Sequence, residues 1–399
     1  MSKLVAGSFE KLRNYCESNE FMGWDPYDGL NSKVFRSLPG IRSGKLFRLI
    51  WIQTFKRSPV NFRRMMLVAK DYNPKGLGLF LNSYCNLWHL HPKDEYPGVI
   101  RKLIDKILEL RTPGYSGNCW GYNFDWESRA FFQPKYTPTI VASVFIAYAL
   151  FDAYEILKDE KILNEALSVC NFILKDLNRT YDSDQDFSFS YSPLDNSQVF
   201  NATLLGSRLL ARAFHYTHDE KLLMEAKKSV NFCIKHQKAD GSWTYSTLPF
   251  HQWIDNFHTG YNLECISEYQ KYSGDQSYRQ NIDKGLEYYL NTFFTEEGKC
   301  KYYNNSLYPI DVHAPAQFIV TLYRLGKLNE HREMADKVLE WTIRNMQDKK
   351  GYFYYQINKY FTSRISYMRW SQAWMFYGLS TYLMAFGIIK PDNNLSLIN

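Results

Sequence analysis

The chain lacks a long apolar run and a recognisable secretion signal. No stretch of about 18 or more apolar residues occurs in its 399 residues, so we expect no transmembrane segment. The opening segment, residues 1–21, carries charges throughout and has no apolar core followed by a small-residue cleavage site. These absences predict a cytoplasmic protein.

Cysteine is scarce and shows no pairing or metal-binding pattern. The seven Cys residues are odd in number and have no C-x-x-C spacing, which favours reduced thiols and argues against structural zinc. The sequence also lacks a Gly-rich phosphate loop, an H-E-x-x-H motif and a G-x-S-x-G motif. We therefore expect neither a metal nor a cofactor.

Charge of one sign does not dominate the composition. The 48 Lys and Arg exceed the 41 Asp and Glu by only 7, and with acidic residues interspersed we expect no nucleic-acid binding. The small positive excess fits an anionic small molecule or a carbohydrate as the partner. Aromatic residues, in contrast, are abundant, at 17% of the chain with Tyr the largest class. Rings in such number suit a cleft that stacks against a sugar, a base or an isoprenoid.

An internal repeat decides the predicted fold. The segment KDEKILNEA (158–166) matches HDEKLLMEA (218–226) at an offset of 60 residues. Each copy joins an apolar helix to an amphipathic helix through a short polar turn, which indicates an antiparallel helix hairpin. Hairpins at this spacing each have an apolar face to bury and therefore curl into a solenoid or close into a ring.

About six such hairpins are predicted. The first helices of the hairpins are expected at 73–90, 137–157, 197–216, 258–272, 313–326 and 369–386, and a weaker helical tract at 41–70 supplies a diffuse N-terminal hairpin. We predict an all-α (α/α)₆ toroid over residues 41–390. Residues 1–40 are expected to pack on its rim, and residues 391–399 form a C-terminal tail.

The turns between hairpins resemble the repeat motifs of known families. QKADGSW (237–243) and its variant QDKKGYF (347–353) look like the repeat motif of squalene cyclases and protein prenyltransferases. The G-x-W-x-Y pattern of Gly241, Trp243 and Tyr245 is similar to one in carbohydrate-active α/α toroids. Residues 21–35 also resemble an opening found in uncharacterised proteins of bacterial surface-polysaccharide gene sets. These resemblances imply the toroid fold, and the last implies a role in polysaccharide metabolism.

Polar residues before or at the first helices of the hairpins are the candidate site. In a toroid these helix N-termini line one mouth of the ring, where free backbone N–H groups also favour anions. We expect substrate-binding residues among Asp125, Trp126, Glu127, Arg129, Asn201, Trp243, Arg364, Tyr367 and Trp370, with the three Trp side chains as stacking platforms.

The densest segment, residues 253–264, carries the predicted chemistry. His258 and Tyr261 lie at i, i+3 spacing on a helix, as do Tyr261 and Glu264, so they can share one face. We predict His258 as a base and Tyr261 as an acid or second base, with Arg369 neutralising a substrate carboxylate. Three further catalytic candidates are Asp255, Asp311 and His313. This set favours a lyase or epimerase that acts on a uronic-acid-type sugar.

Three alternatives stay open at this stage. Glycoside hydrolysis needs two carboxylates across the cleft, for which Asp125 or Glu127 could pair with Asp255 or Asp311. A non-catalytic scaffold would bind glycan or protein through the aromatic mouth. Isoprenoid chemistry is disfavoured because neither a D-x-D-D nor a D-D-x-x-D motif is present.

Overall fold

A computed structural model describes residues 1–40, 44–127 and 132–388, and it is mostly helical. The predicted tail 391–399 lies outside the described residues. The α-helices are α1 Ser2–Ser18, α2 Lys33–Arg36, α3 Lys45–Arg57, α4 Pro74–Leu90, α5 Glu95–Glu109, α6 Ile140–Leu157, α7 Glu160–Lys175, α8 Phe200–Thr217, α9 Glu220–Lys235, α10 Asn256–Ser273, α11 Arg279–Phe293, α12 His313–Arg324, α13 Arg332–Met346 and α14 Trp374–Ala385.

Six helices form a closed inner ring. Helices α4, α6, α8, α10, α12 and α14 pack each against the next, and α14 returns to α4. The inner helices are buried along most of their length, because each contacts two inner neighbours and an outer helix. The (α/α)₆ toroid prediction is confirmed. Helix α6 is the one described helix long and apolar enough to cross a membrane, and its burial inside the ring is that of a core helix.

The outer layer corrects the predicted role of the N-terminus. Helices α5, α7, α9, α11 and α13 pair with their preceding inner helices, and α1 supplies the sixth outer helix by packing on α14 and α13. The apolar residues Val5, Phe9, Leu12 and Cys16 recur on one face of α1 and are buried there. The rim position predicted for residues 1–40 is therefore wrong for α1, because this apolar stripe has to be covered.

The repeated turns explain how each hairpin docks on the next. Gln237 donates to the carbonyl of Asn281 in α11, and Gly241, at φ +88°, lies so close to α11 that a Cβ would collide with its backbone. Gln347 donates in the same way to the carbonyl of Ser8, and Gly351 lies against α1. The turn after α13 therefore docks on α1 in the same way as the turn after α9 docks on α11. Helix α1 thus closes the outer layer of the ring.

The role of α1 gives a first testable prediction. Phe9→Ala should lower the free energy of unfolding by about 3–5 kcal/mol, because the Phe9 ring contacts Phe376 of α14 at 4.8 Å between centroids. Urea unfolding followed by circular dichroism measures this change. The exposed Met224→Ala on α9 is the control and should change stability by less than about 0.5 kcal/mol. Equal effects in both variants would contradict an outer-layer position for α1.

Residues 19–40 and 44–73, here called the covering segment, do not enter the ring but cover one end of it. Helix α3 packs against the 3₁₀ turn Asp28–Asn31 and against the strand Trp126–Glu127, so the helical tract predicted within 41–70 exists but is not a ring hairpin.

Short strands lie in the loops that enter inner helices: β1 Trp126–Glu127 with β2 Phe132–Gln133, β3 Arg179–Tyr181 with β4 Phe187–Phe189, and β5 Ile310–Asp311 with β6 Gln356–Ile357 and β7 Thr362–Ser363, all antiparallel. These loops and the covering segment enclose the N-terminal ends of the inner helices.

Candidate active site

The inner-helix N-termini meet around one cavity. Thr139 caps α6 and Asp255 caps α10, each accepting a backbone N–H at 3.0 Å, and Asn73 caps α4. The cavity has a volume of about 420 Å³. Half of its lining is aromatic, namely Tyr27, Tyr122, Phe124, Trp126, Tyr191, Tyr245, Trp253, Phe257, Tyr261, Tyr302, Tyr303 and Trp370. Its polar lining includes Gln53, Lys56, Arg57, Lys75, Ser197, Asn201, His251, Asp255, His258, His313 and Arg369.

His258 and Asp255 form a hydrogen-bonded pair at the cavity. The Nδ1 of His258 lies 2.7 Å from Oδ2 of Asp255, while the other oxygen of this carboxylate caps the helix through the His258 backbone N–H. Trp253 donates its indole N–H to the same carboxylate at 3.1 Å. A buried carboxylate on Nδ1 holds the proton there and leaves Nε2 as the basic nitrogen. One-fifth of the His258 side chain is exposed, so the ring is open to the cavity.

His313 and Tyr261 form a second pair next to the first. Tyr261 Oη lies 2.8 Å from Nε2 of His313, and both side chains line the cavity. The imidazole is clamped between the rings of Phe257 and Trp374, with centroid distances of 4.3 and 4.2 Å. Burial lowers the pKa of His313 well below its usual range, so the ring is neutral. The centroid of the Phe257 ring also lies 4.3 Å from that of His258, so both imidazoles contact the same aromatic ring.

Asp311 lies behind the cavity and does not line it. Its carboxylate accepts the indole N–H of Trp370 at 2.9 Å, the backbone N–H of His313 at 2.9 Å and an N–H of Gln356 at 2.5 Å. These bonds orient Trp370 and the start of α12, so the geometry gives Asp311 a positioning role in place of a catalytic one. Burial raises the pKa of Asp311 to about 6 despite these donors.

The raised pKa of Asp311 makes stability depend on pH in a stated direction. Because the folded chain holds this proton up to about pH 6 and the unfolded chain releases it near pH 4, the contribution of Asp311 is lost as pH rises through this window. Asp311→Asn cannot titrate. Between pH 4 and pH 7, we expect the free energy of unfolding of this variant to rise by about 2 kcal/mol relative to that of wild type. Urea unfolding at several pH values measures it, and a constant difference between the two proteins would contradict the raised pKa.

Arg369 lines the cavity with its guanidinium already engaged. It donates to both carboxylate oxygens of the buried Asp25, at 2.6 and 2.8 Å. Arg369 lies in a π-helical turn, Met368–Ala373, which runs directly into α14 and turns both Arg369 and Trp370 toward the cavity. Arg369 is therefore not available to bind a substrate carboxylate as predicted, because its guanidinium already makes a bidentate contact with Asp25.

The remaining predicted substrate-binding residues divide into two groups. Trp126, Asn201 and Trp370 line the cavity, whereas Asp125, Glu127, Trp243, Arg364 and Tyr367 do not. Arg129 lies outside the described residues. The carboxylates of Asp125 and Glu127 are paired with Arg36 and Arg48 of the covering segment.

Three of these predictions are corrected by the structure. The Trp243 ring is buried beneath the hairpins and donates to the carbonyl of Cys233, so it cannot be a stacking platform. Tyr367 is buried behind the site and accepts a hydrogen bond from Arg63. The Arg364 guanidinium lies 5.2 Å from the Tyr354 ring, away from the cavity. Glu264, one turn after Tyr261 on α10, pairs with Arg208 inside the ring.

Lys75 is the site residue that sequence reasoning missed. Its amine lies 4.2 Å from the ring centre of Phe145 and within 6 Å of those of Tyr261 and Trp374, and no described carboxylate forms an ion pair with it. Burial, followed by the positive charges of Arg369 and Arg208, lowers the pKa of Lys75 well below its usual range. Its place in the first turn of an inner helix, two residues after the capping Asn73, was the available signal.

Comparisons with solved structures show that the fold is shared with carbohydrate-active enzymes. A cellobiose 2-epimerase from Bacillus thermoamylovorans is 13% identical, with a TM-score of 0.62 over 79% of this chain and 88% of that one. A family 76 glycoside hydrolase, a mannosidase from Bacteroides thetaiotaomicron, is 12% identical, with a TM-score of 0.62 over 97% and 98%. An unsaturated glucuronyl hydrolase specific for heparin is 12% identical, with a TM-score of 0.57 over 78% and 86%.

These likenesses confirm the resemblance to carbohydrate-active α/α toroids at the level of the fold. No protein-family model matches the chain, and no curated protein matches it. At such identities the comparisons carry the architecture, and the chemistry has to be argued from the cavity.

Proposed function

We propose that this protein is a sugar epimerase or isomerase that moves a proton at the carbon next to the carbonyl of an open-chain sugar. One observation carries the proposal: two hydrogen-bonded imidazole pairs, His258–Asp255 and His313–Tyr261, open onto one aromatic cavity. The fold shared with sugar epimerases supports it. These four side chains carry out the proposed chemistry.

The two pairs suit the two halves of such a reaction. His258 Nε2, with its proton held on Nδ1 by Asp255, takes the proton from the carbon next to the carbonyl, and the charge moves onto the carbonyl oxygen. Tyr261, hydrogen-bonded to the neutral His313, returns a proton on the other side of the planar intermediate. Return to the same carbon from the opposite face gives an epimer. Return to the former carbonyl carbon, with the proton of the neighbouring hydroxyl moving to the former carbonyl oxygen, gives the ketose.

The carboxylates favour this chemistry over glycoside hydrolysis. Hydrolysis by the common route needs an acid and a base or nucleophile of the carboxyl type facing the bond. Asp255 is the one carboxylate among the described lining residues, and it is bonded to His258. The predicted partners Asp125, Glu127 and Asp311 all lie outside the lining.

We further propose that the sugar carries an acidic group, as in a uronic acid. Lys56 and Arg57 of α3 line the cavity, together with Lys75 and Arg369, against the single carboxylate of Asp255. With the Arg369 charge balanced by Asp25, the entrance lysine and arginine are the groups that favour an anion. The aromatic lining supplies stacking surfaces for the apolar faces of the ring.

Lys75 is expected to bind the carbonyl oxygen or a neighbouring hydroxyl as an uncharged donor. We expect Lys75→Met to lower kcat/KM by about 100-fold, because one well-placed donor to a developing oxyanion is worth that much. Steady-state kinetics measures the loss. The same variant should gain stability at pH 7 and lose that gain toward pH 10, because the unfolded lysine alone binds a proton at neutral pH. Full activity in the Met variant would remove Lys75 from the site.

The proposed function is tested by incubating the protein with neutral and uronic reducing sugars and, separately, with glycosides. We expect a new epimer or ketose in the NMR spectrum of a reducing sugar, with no cleavage of glycosides. Cleavage without epimer formation would establish the hydrolase alternative. Binding of sugars without turnover would establish the scaffold alternative.

The cysteines of the chain agree with a reducing compartment. All seven Cys side chains are buried and unpaired, as expected for reduced thiols. We propose a cytoplasmic location and a part in bacterial polysaccharide metabolism, with a carbohydrate as partner and no nucleic acid. Among the described residues, no three His, Cys, Asp or Glu side chains are grouped as a metal site.

A further inference from the structure

The positive charge of the chain is concentrated in one segment. Residues 29–70 contain ten Lys or Arg and no Asp or Glu. Because the whole chain is +7 and this segment is +10, the rest of the chain carries −3. The expectation that acidic residues are interspersed throughout is therefore wrong for this stretch. Lys33, Arg64 and Lys70 are among its exposed cations.

The same segment exposes large apolar side chains. Leu46, Phe47 and Ile50 on the first turns of α3 are 66%, 50% and 53% exposed. The opposite face of α3 buries Ile52 and Phe55, with Ile52 packed against Leu30 and Phe35, so the exposed side chains are not needed for its packing. Exposed apolar residues grouped within a cationic helix are the signature of a helix that lies in a membrane interface.

This helix also borders the entrance to the cavity. Gln53, Lys56 and Arg57, in the second half of α3, line the cavity, while Leu46, Phe47 and Ile50 point to solvent from the first half. If these apolar side chains bind another surface, that surface lies beside the opening through which substrate reaches the cavity.

We propose that α3 and the basic segment around it dock this protein on an anionic lipid bilayer. The apolar side chains of α3 insert at the level of the headgroups, and the surrounding Lys and Arg contact lipid phosphates. Charge complementarity selects the occupant. Arg36, Arg48 and Arg63 are balanced by carboxylates, but residues 29–70 contain no carboxylate of their own. The exposed cations of the segment include Lys33, Arg64 and Lys70. A soluble polyanion would be bound by the cations alone and would leave Leu46, Phe47 and Ile50 unexplained. The inference is independent of the proposed sugar chemistry.

Vesicle co-sedimentation of the full chain tests the proposal. The probes are vesicles of phosphatidylglycerol mixed with phosphatidylcholine, and vesicles of phosphatidylcholine alone. We expect binding to the first at low salt, weakened by added salt, and at least about tenfold weaker binding to the second. Two variants dissect the contact: Leu46→Ser/Phe47→Ser/Ile50→Ser removes the apolar part, and Lys33→Glu/Arg64→Glu reverses two exposed charges.

Each variant should weaken binding to anionic vesicles by about tenfold or more. The matched control Tyr181→Ser/Met224→Ser/Tyr323→Ser removes three exposed apolar side chains elsewhere and should bind as wild type does. Thermal melts confirm that all the variants are folded. Absence of vesicle binding by wild type, or equal binding by the apolar variant, would overturn the proposal. It would also be overturned if wild type self-associated in sedimentation velocity and the apolar variant were a monomer, because the face would then be a contact between copies.

Discussion

His258→Ala is expected to lower kcat by about 1,000-fold or more while leaving the fold intact. General-base catalysis by a positioned imidazole contributes about 10²–10⁴-fold, and Ala has no basic group to replace it. His258 is partly exposed, so its removal opens no buried void. Steady-state kinetics on the sugar identified by the NMR assay measures the loss, and circular dichroism checks the fold.

Two further variants separate catalysis from structure at His258. Asp255→Asn keeps a side chain that caps α10 but no longer holds the proton on Nδ1, so we expect a large loss of kcat with little loss of stability. His251 lines the same cavity and bonds to Ser246 through Nδ1. His251→Ala is therefore the matched control, and we expect it to keep activity within about tenfold. An equal loss in the His251 and His258 variants would contradict the assignment of the base.

Arg369→Ala is expected to lower the free energy of unfolding by about 3–5 kcal/mol. The substitution leaves Asp25 buried without its bidentate partner, and a lone buried charge costs about this much. Because Asp25 belongs to the covering segment and Arg369 to the turn before α14, this ion pair holds the covering segment against the ring. Urea unfolding measures the change.

A double variant distinguishes the lost pair from a lost side chain. Asp25→Asn/Arg369→Met removes both charges, so we expect it to be more stable than Arg369→Ala alone. A double variant as unstable as the sum of the single ones would show that the two residues do not act as a pair. In that case Arg369 would again be available to a substrate carboxylate.

The ring could be predicted from the sequence because its signals are local and repeated. The inner helices predicted at 137–157 and 197–216 are observed at Ile140–Leu157 and Phe200–Thr217, since caps and polar turns mark their ends. Helix α1 was missed as a ring element because its partner, α14, lies at the other end of the chain. Nothing in a local pattern connects two helices so far apart.

The site was predictable only in part, for a different reason. His258 and Tyr261 could be found because both lie on one helix, at the spacing that places them on one face. The partners of Arg369 and Trp243 could not, since Asp25 and Cys233 approach them only in the folded chain. Lys75 was missed because a single lysine carries no pattern. Its significance comes from burial among rings.

The most direct test of the proposed proton transfer is deuterium incorporation by the wild-type protein in D₂O. We expect each product molecule to carry deuterium at the carbon where the proton returned, as read by NMR and mass spectrometry, because His258 and Tyr261 exchange their protons with solvent. We also expect His258→Ala to lose this incorporation together with turnover. A product formed without deuterium, or cleavage of a glycoside in its place, would contradict proton transfer at this site.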